Sequence, residues 1–293
     1  MHTNKGIRYH LYLLNTRAVL EMNAKKHALL IGASGGLGSA TTELLCNSGW
    51  QVFASDINPA ILDQYKQSTH ITPLVMDITD TESIQETYRQ ISAQTNGLDA
   101  VIHVAGILSV GSLVELPVLK LERALEINLL GVYRVNKQFL PLLLAQKGRV
   151  VILSSEVARQ SAAPFNGIYA ISKHALEAYS DSLRRELSIL GIKVIKIQPG
   201  PFKTDMTKKA EQKFSDAQKE SIYFKKQLSK GLSYLPRIYK KAHDPGLVAR
   251  TILLALKSSN PKTKYLIKAD PSRMLLELLP VKWADRLYRK VLG

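Results

Sequence analysis

The chain has 293 residues, of which 45% are hydrophobic and 22% charged; this is enough to bury a large core and excludes wholesale disorder and fibrous architectures. The single cysteine, Cys46, excludes an internal disulfide and a clustered thiolate zinc site. No apolar run reaches the ~18 residues of a membrane-spanning helix, and the N-terminus lacks the apolar segment and cleavage site of a secretory signal. Together these features indicate a reducing, cytoplasmic compartment.

The formal net charge of +16 is concentrated near the C-terminus. Residues 203–241 carry 11 basic and 4 acidic side chains, and residues 257–290 carry 9 basic and 3 acidic ones, so these two segments hold +13 of the excess. Such a balance fits an anionic partner or a solvated lysine-rich face equally well. We expect a peripheral contact with an anionic membrane rather than nucleic acid, because no nucleic-acid-binding module is recognisable.

Short apolar runs alternate with longer helical patterns after residue 24. The predicted strands are 27–32, 51–55, 72–76, 100–104, 149–153 and 193–198, and the predicted helices are 39–48, 81–95, 116–145 and 167–190. This alternation predicts an α/β fold, a doubly wound (Rossmann) parallel sheet with helices on both faces. No linker divides the chain, so we expect a single domain over residues 22–293. Residues 1–21 are an N-terminal extension that fits a tail, a weak membrane-contacting segment, or sequence upstream of a start at Met22.

A glycine-rich turn follows the first strand and opens the first helix, with Gly32, Gly36 and Gly38 in the spacing G-x-x-x-G-x-G. Such a turn lets a pyrophosphate approach backbone N–H groups at a helix N-terminus. Asp56 ends the second strand, where a carboxylate accepts hydrogen bonds from both ribose hydroxyls and repels a 2′-phosphate. NAD is therefore favoured over NADP, although a turn or capping role for Asp56 stays open. Asp77, after the third strand, fits an adenine contact or a helix cap equally well.

Tyr169 and Lys173 are four residues apart near the start of a helical pattern, so both side chains lie on one helix face. A free phenol has a pKa of about 10. A nearby ammonium favours the phenolate and brings that pKa toward the working range. Such a tyrosine moves a proton to or from an alcohol or carbonyl oxygen, but the isolated pair is common on solvated helices.

Several motifs, in order and at nearly the family's spacing, make the sequence resemble the short-chain dehydrogenase/reductase family. The stretch from Tyr169 to Glu186 is similar to the retinol and hydroxysteroid dehydrogenase branch, and the resemblance is close over about residues 25–205. The matching positions are Gly32, Gly36, Gly38, Asp56, Asp77, Ala105, Gly106, Asn128, Ser154, Ser155, Tyr169, Lys173, Pro199, Gly200 and Thr204.

The resemblance implies a role for each of these positions. Tyr169 is the acid/base, Lys173 lowers its pKa and holds the nicotinamide ribose, and Ser155 stabilises charge on the substrate oxygen. Asn128 positions a water that links Lys173 to solvent. The implied cofactor-binding set for NAD or NADP is Gly32, Ser34, Gly36, Leu37, Gly38, Asp56, Asp77, Ile78, Ala105, Gly106, Asn128, Tyr169, Lys173, Pro199, Gly200 and Thr204.

The sequence departs from the family pattern at three places. Ile31 stands where the family commonly has threonine, and Val104 where it has asparagine. Ser155 lies 14 residues before Tyr169 rather than the usual 13, so Ser154 stays open as the substrate-facing serine.

Four further residues receive no functional role. His103 and His174 are read as structural, and no cluster suggests a metal. Trp50 and Cys46 are expected in the core.

The last third of the chain is expected to contact the substrate. Residues 205–243 resemble the family's lid and carry aromatic and aliphatic side chains that suit a lipophilic alcohol or ketone. Residues 271–293 form a basic amphipathic segment that fits an interfacial helix or a terminal helix packed on the domain. The sequence thus predicts an NAD(P)-dependent oxidoreductase acting on a small-molecule alcohol/carbonyl pair, as a homo-oligomer (dimer or tetramer). The alternative is a catalytically weak dinucleotide-binding sensor.

Overall fold

A computed structural model describes residues 25–240 and 242–293. The predicted extension, residues 1–21, lies outside the described residues, and its boundary stays a prediction. Seven parallel strands form one sheet. They are β1 (His27–Ile31), β2 (Gln51–Asp56), β3 (Ile71–Val75), β4 (Ala100–His103), β5 (Arg149–Leu153), β6 (Lys193–Pro199) and β7 (Lys264–Ile267).

Strand order in the sheet is β3-β2-β1-β4-β5-β6-β7. The order reverses between β1 and β4, which pair in parallel with Leu29 opposite Val101. In a doubly wound sheet, ligands bind at the carboxyl ends of the strands beside such a switch point. The fold class is confirmed, and the topology puts the glycine-rich turn and the end of β4 side by side.

Helices cover both faces of the sheet. They are α1 (Gly36–Asn47), α2 (Ile61–Gln64), α3 (Thr81–Ser92), α4 (Val118–Leu125), α5 (Gly131–Gln146), α6 (Gly167–Ile189), α7 (Asp205–Glu220), α8 (Lys225–Lys240), α9 (Gly246–Lys257), α10 (Pro271–Leu276) and α11 (Val281–Leu292). A π-helical turn, Glu126–Leu130, joins α4 to α5, and a 3₁₀ turn, Glu156–Arg159, follows β5.

Two apolar layers hold the helices on the sheet. Alternate residues of the central strands point to opposite faces, so Leu30 and Ile102 enter one layer while Leu29 and Val101 enter the other. The strands are buried on both sides, which explains their continuous apolar sequences. Trp50 is buried as expected, and Cys46 packs against the same layer.

The predicted elements differ from the structure at three places. The first helix begins at Gly36 rather than at residue 39, because the glycines belong to its first turn. The predicted helix 116–145 contains the π-helical turn, which the apolar periodicity did not reveal. Strand β7 was not predicted, because a four-residue edge strand with a lysine at its start carries little apolar signal.

Candidate active site

The glycine-rich turn is built by close backbone approaches. Gly32 has a positive φ of 87°, and a Cβ there would lie 2.6 Å from the backbone nitrogen of Ala105. A Cβ on Gly38 would lie 2.8 Å from the Cα of Ala33. Only glycine fits these positions, because other residues would push β1, β4 and α1 apart. The turn therefore brings the N-terminus of α1 to the switch point.

The N-terminus of α1 offers backbone donors to an anion. Its N-cap, Gly35, supplies no side-chain hydrogen bond, and its first turn holds no acidic residue. Unpaired N–H groups and the positive end of the helix dipole favour a phosphate here. The donor set of this turn therefore fits the pyrophosphate of a dinucleotide, with Ser34 and Leu37 as predicted members of the site.

Asp56 closes the cleft at the end of β2. Its two carboxylate oxygens accept hydrogen bonds from the backbone N–H groups of Ser34 and Asn58, both at 3.0 Å. The side chain is thus held against the glycine-rich turn, and each oxygen retains a lone pair for a further donor. Asp56 can therefore stabilise the turn and still accept hydrogen bonds from a ribose.

Asp77 does not cap the helix that follows it. Its Oδ1 accepts hydrogen bonds from the backbone N–H and hydroxyl of Thr79, at 2.8 and 2.7 Å. Asp80 caps α3 instead, by accepting from the backbone N–H of Glu82. The capping alternative for Asp77 is therefore wrong. Ile78 is buried against Gly131, at the start of α5.

Gly106 leaves room for two functional side chains behind β4. A Cβ at Gly106 would lie 3.2 Å from the Oδ1 of Asn128 and 3.6 Å from the Nζ of Lys173. The preceding Ala105 donates its backbone N–H to Ile31, at 2.9 Å. The end of β4 thus joins the glycine-rich turn to the predicted catalytic residues.

Asn128 lies in the π-helical turn and is buried. Its Oδ1 accepts the backbone N–H of Ile107 at 2.8 Å, and its Nδ2 donates to the Ile107 carbonyl and to the Ser172 hydroxyl, at 3.0 and 2.9 Å. Ser172 in turn donates to the carbonyl of Tyr169, at 2.8 Å. The side chain therefore holds the loop after β4 against α6, and its predicted role in positioning a water stays a prediction.

Ser155 influences the pKa of Tyr169, which it lowers. Ser155 is the N-cap of the 3₁₀ turn, and its hydroxyl also accepts the backbone N–H of Val157 at 3.2 Å. Ser154 is buried, and its hydroxyl has no hydrogen-bond partner in the part of the chain that the structure describes. The influence on the Tyr169 pKa favours Ser155 over Ser154, and the choice of the substrate-facing serine stays a prediction.

The pKa of Tyr169 is raised, not lowered. Burial raises it, the interaction with Ser155 opposes this, and the nearby Glu156 charge raises it further. Lys173 lies over the ring face, with its Nζ 5.8 Å from the ring centroid. The expected lowering of the Tyr169 pKa by Lys173 is not found in this arrangement, where burial has the largest influence on that pKa.

Lys173 is buried, and its Nζ donates to the carbonyl of Leu153 at 3.1 Å. Burial lowers the pKa of Lys173 to about 8, while the Glu177 charge raises it. The amine therefore titrates close to physiological pH, which is unusual for a lysine.

Glu177 is a residue of this site that we did not predict. Its carboxylate accepts from Gln198 at 2.8 Å and pairs with Lys196 at 2.7 Å, and Lys196 also pairs with Asp181 at 2.8 Å. The signal was present, since Glu177 follows Lys173 by four residues on one helix face. Only the structure shows that β6 supplies its partners.

The end of β6 approaches both the cleft and β7. Gly200 donates its N–H to Ile267 at 2.9 Å, and a Cβ on Gly200 would lie 3.3 Å from the Cα of Ala269. Thr204 caps α7, and its side chain lies beside Gly36 of the glycine-rich turn. The structure thus brings Pro199, Gly200 and Thr204 to the same cleft as the glycines.

Both histidines have structural partners. The Nε2 of His103 lies 2.8 Å from the Oδ1 of Asn136, and burial lowers the pKa of His103 to about 4. The Nδ1 of His174 lies 2.9 Å from the carbonyl of Ala170. Among the described residues, no group of potential metal-ligating side chains occurs.

A small apolar cluster lies between the lid and the catalytic residues. Phe165 and Phe224 contact each other edge to face, with ring centroids 5.6 Å apart. Phe165 has a left-handed φ of 66°, a conformation that costs energy for a bulky residue. The other members of the cluster are Leu108, Val110, Phe214, Ala217 and Leu228. The predicted lid folds as α7 and α8, and both helices contribute side chains to this cluster.

The C-terminal segment contacts the opposite side of the cleft. Glu277 accepts hydrogen bonds from the backbone N–H and the hydroxyl of Ser161, at 2.8 and 3.0 Å. Glu156 accepts the N–H of Asp270 at 2.7 Å. No residue of α10 or α11 is buried, although α11 packs against α8. In the described chain, no helix is both long and apolar enough to cross a bilayer.

Comparisons with known proteins agree with this geometry. The profile of one protein family, described as short chain dehydrogenase, matches residues 26–214. The chain is 31% identical to a probable short-chain type dehydrogenase/reductase, VdlC, of Helicobacter pylori, over 90% of this chain and 97% of the relative. It is 36% identical to human retinol dehydrogenase 16, over 70% and 65% of the two chains. A short-chain dehydrogenase structure from Streptomyces avermitilis superposes with a TM-score of 0.73 at 23% identity, over 92% and 95% of the two chains.

Proposed function

Because the chain belongs to the short-chain dehydrogenase/reductase family, we propose that it interconverts a lipophilic alcohol and its carbonyl compound through Tyr169, Ser155, Lys173 and Asn128. A bound NAD or NADP supplies or accepts the hydride. The observation that carries the proposal is the buried arrangement of Lys173 and Asn128, which both lie beside Gly106, while Asn128 is linked through Ser172 to the backbone of Tyr169.

Tyr169 transfers the proton at the substrate oxygen. Tyr169 acts as the acid during carbonyl reduction and as the base during alcohol oxidation, and its burial, which raises its pKa, favours the protonated form. Ser155 donates its hydroxyl to the same oxygen and stabilises the charge that develops there.

Lys173 and Asn128 position Tyr169 and Ser155. Lys173 titrates near a pKa of about 8 and holds the ribose next to the nicotinamide. Asn128, whose side chain is hydrogen-bonded to Ile107 and Ser172, holds the loop after β4 against α6. Burial of these groups excludes bulk water and strengthens their mutual interactions.

NAD is the proposed cofactor, in preference to NADP. Asp56 presents a carboxylate at the end of β2, and the segments 32–38 and 56–60 contain no lysine or arginine that would neutralise a 2′-phosphate. Gly32, Gly36 and Gly38 would hold the pyrophosphate, and the rest of the predicted cofactor-binding set belongs to the same proposal.

A lipophilic substrate is supported by the apolar cluster under the lid. Phe165, four residues before Tyr169 in the sequence, packs with Phe224 and their neighbours into a cluster of rings and aliphatic groups, the lining that ligand sites usually have. The retinol dehydrogenase similarity supports the same class of substrate.

We also propose a compartment, an oligomeric state and a membrane contact for the protein. We place it in the cytoplasm, as a homo-oligomer, with a peripheral contact to an anionic membrane through its basic last third. The single cysteine supports the compartment, and the +13 charge of that third supports the membrane contact.

A cofactor screen tests the proposed activity. The purified chain is incubated with retinoids, steroids and aliphatic alcohols, each with NAD and with NADP, and dinucleotide reduction is followed by absorbance. We expect turnover of at least one lipophilic alcohol with NAD. Dinucleotide binding without turnover of any substrate in either direction would instead favour the sensor alternative.

A further inference from the structure

Large apolar side chains are exposed on two segments at the mouth of the lid. We call these six residues the lid rim, and each is between 58% and 81% exposed. Single exposed apolar residues are ordinary on protein surfaces, whereas a contiguous group marks an interaction site. The lid rim consists of Leu113, Val114, Val118, Leu119, Ile222 and Tyr223.

Glu115 joins the two segments of the lid rim. Its Oε1 accepts the backbone N–H groups of Ile222 and Tyr223 at 2.8 and 2.7 Å, and its Oε2 accepts the Ser221 hydroxyl at 2.7 Å. These segments are more than a hundred residues apart in sequence. One carboxylate therefore fixes them side by side, which makes the exposed residues one surface.

The lid rim is continuous with the apolar cluster of the active site. Tyr223 precedes Phe224, whose ring contacts Phe165 four residues before Tyr169. On the other segment, Leu113 covers Gly167, where a Cβ would lie 2.7 Å from Leu113 Cδ1. An apolar path thus leads from solvent to the start of α6.

Lysines border the lid rim. The Nζ of Lys213 donates to the Leu108 carbonyl at 2.7 Å. Burial and the neighbouring charges of Lys120 and Lys209 lower the pKa of Lys213. Lys225 and Lys226 follow Phe224 directly. Acidic residues are fewer on the lid segment, since residues 203–241 carry a net +7, whereas residues 113–126 hold three acidic and two basic side chains. An apolar surface bordered by positive charge complements an anionic lipid surface.

We propose that the lid rim docks on an anionic lipid bilayer, so that a lipophilic substrate passes from the lipid along Phe224 to Tyr169. The substrate part of this inference rests on the proposed activity, and the docking part specifies which surface makes the proposed membrane contact. A second copy of the chain is a poorer occupant, because it would bring a second set of lysines against the first.

Vesicle cosedimentation tests the docking. The full chain is mixed with phosphatidylcholine vesicles containing about 30% phosphatidylserine, without substrate or dinucleotide. We expect binding that weakens with salt, and a roughly tenfold loss of affinity in the double variant Ile222→Ser/Tyr223→Ser. The matched control is Ile189→Ser/Leu190→Ser, an equally apolar pair, 85% and 48% exposed, at the far end of α6. We expect the control to bind like the unaltered chain.

Further variants keep the inference falsifiable. Val114→Ser, on the other segment of the lid rim, should also weaken binding, which guards against misfolding of the double variant. Unchanged binding in both rim variants, or full loss in Trp283→Ser of α11, would overturn the docking site. Monomer formation by the rim variants in the absence of vesicles would point to a second copy instead.

Failure of the proposed function would look different. If no lipophilic alcohol is turned over but the rim variants lose vesicle binding, the docking stands and the substrate assignment falls. If turnover occurs but vesicles bind neither the unaltered chain nor the control, the docking and the proposed membrane contact fall, and the proposed activity stands.

Discussion

The first two hundred residues and the last ninety differ in how their functional residues are held. In the former, Asn128, Ser155 and Lys173 are buried and fixed by backbone hydrogen bonds on a nearly neutral scaffold. In the latter, the lid and the C-terminal helices are strongly basic, and residues such as Tyr223 and Trp283 are largely exposed. The difference teaches that chemistry needs rigid, desolvated groups, whereas recognition of a lipophilic molecule or surface needs apolar area that is still accessible.

The largest effect expected of a change in the buried region is that of Tyr169→Phe. Loss of the proton carrier should reduce turnover by roughly a hundredfold to ten-thousandfold, while the retained ring preserves packing. Turnover and dinucleotide Kd are measured together, and we expect the Kd to be nearly unchanged. Robust turnover in this variant would remove Tyr169 from the mechanism.

A pair of serine variants sharpens the assignment of the substrate-facing hydroxyl. Ser155→Ala should raise the barrier by about 3 kcal/mol, because a donor to the developing oxyanion is lost. Ser154→Ala is the matched control and should have little effect, since its hydroxyl has no partner in the described residues. Steady-state kcat is measured for both variants. A larger loss of kcat in Ser154→Ala than in Ser155→Ala would assign the substrate-facing role to Ser154.

Asp56→Ala tests the cofactor preference of the neutral region. Removing the carboxylate should weaken NAD binding by about tenfold, because one charge-assisted hydrogen bond is lost. The ratio between the NADP and NAD Kd values should become smaller. Kd values for both dinucleotides are measured by titration. Tighter binding of NADP than of NAD by the unaltered chain would show that Asp56 does not set the preference.

The smallest expected effect is that of Glu177→Gln, which removes the Glu177 charge and shifts the pH dependence of turnover. Glu177 raises the pKa of Lys173, so Glu177→Gln should lower it below about 8, and the charged amine is then lost at a lower pH. The high-pH limb of carbonyl reduction, followed as kcat/KM, should move to lower pH. Glu186→Gln, on the same helix, is the control. Identical profiles for the two variants would exclude this influence of Glu177.

The sequence predicted much of the scaffold because each signal was local. Six of the seven strands, the glycine-rich turn and Asp56 follow from apolar runs, from glycines that permit close approach, and from a carboxylate at a strand end. The Tyr169 and Lys173 pair followed from helical spacing and from the family resemblance. These features depend on residues near one another in the chain.

Tertiary structure alone decided the electrostatics and the contacts between distant segments. Spacing predicted that Lys173 lowers the pKa of Tyr169, yet burial raises it, since desolvation depends on everything packed around the phenol. The partnership of Glu115 with residues 221–223 joins parts of the chain that no local pattern connects. Sequence thus determined which chemical groups exist and on which elements they lie, because secondary structure is a local property. Packing determined how strongly they interact, because burial and distance arise only when the elements come together.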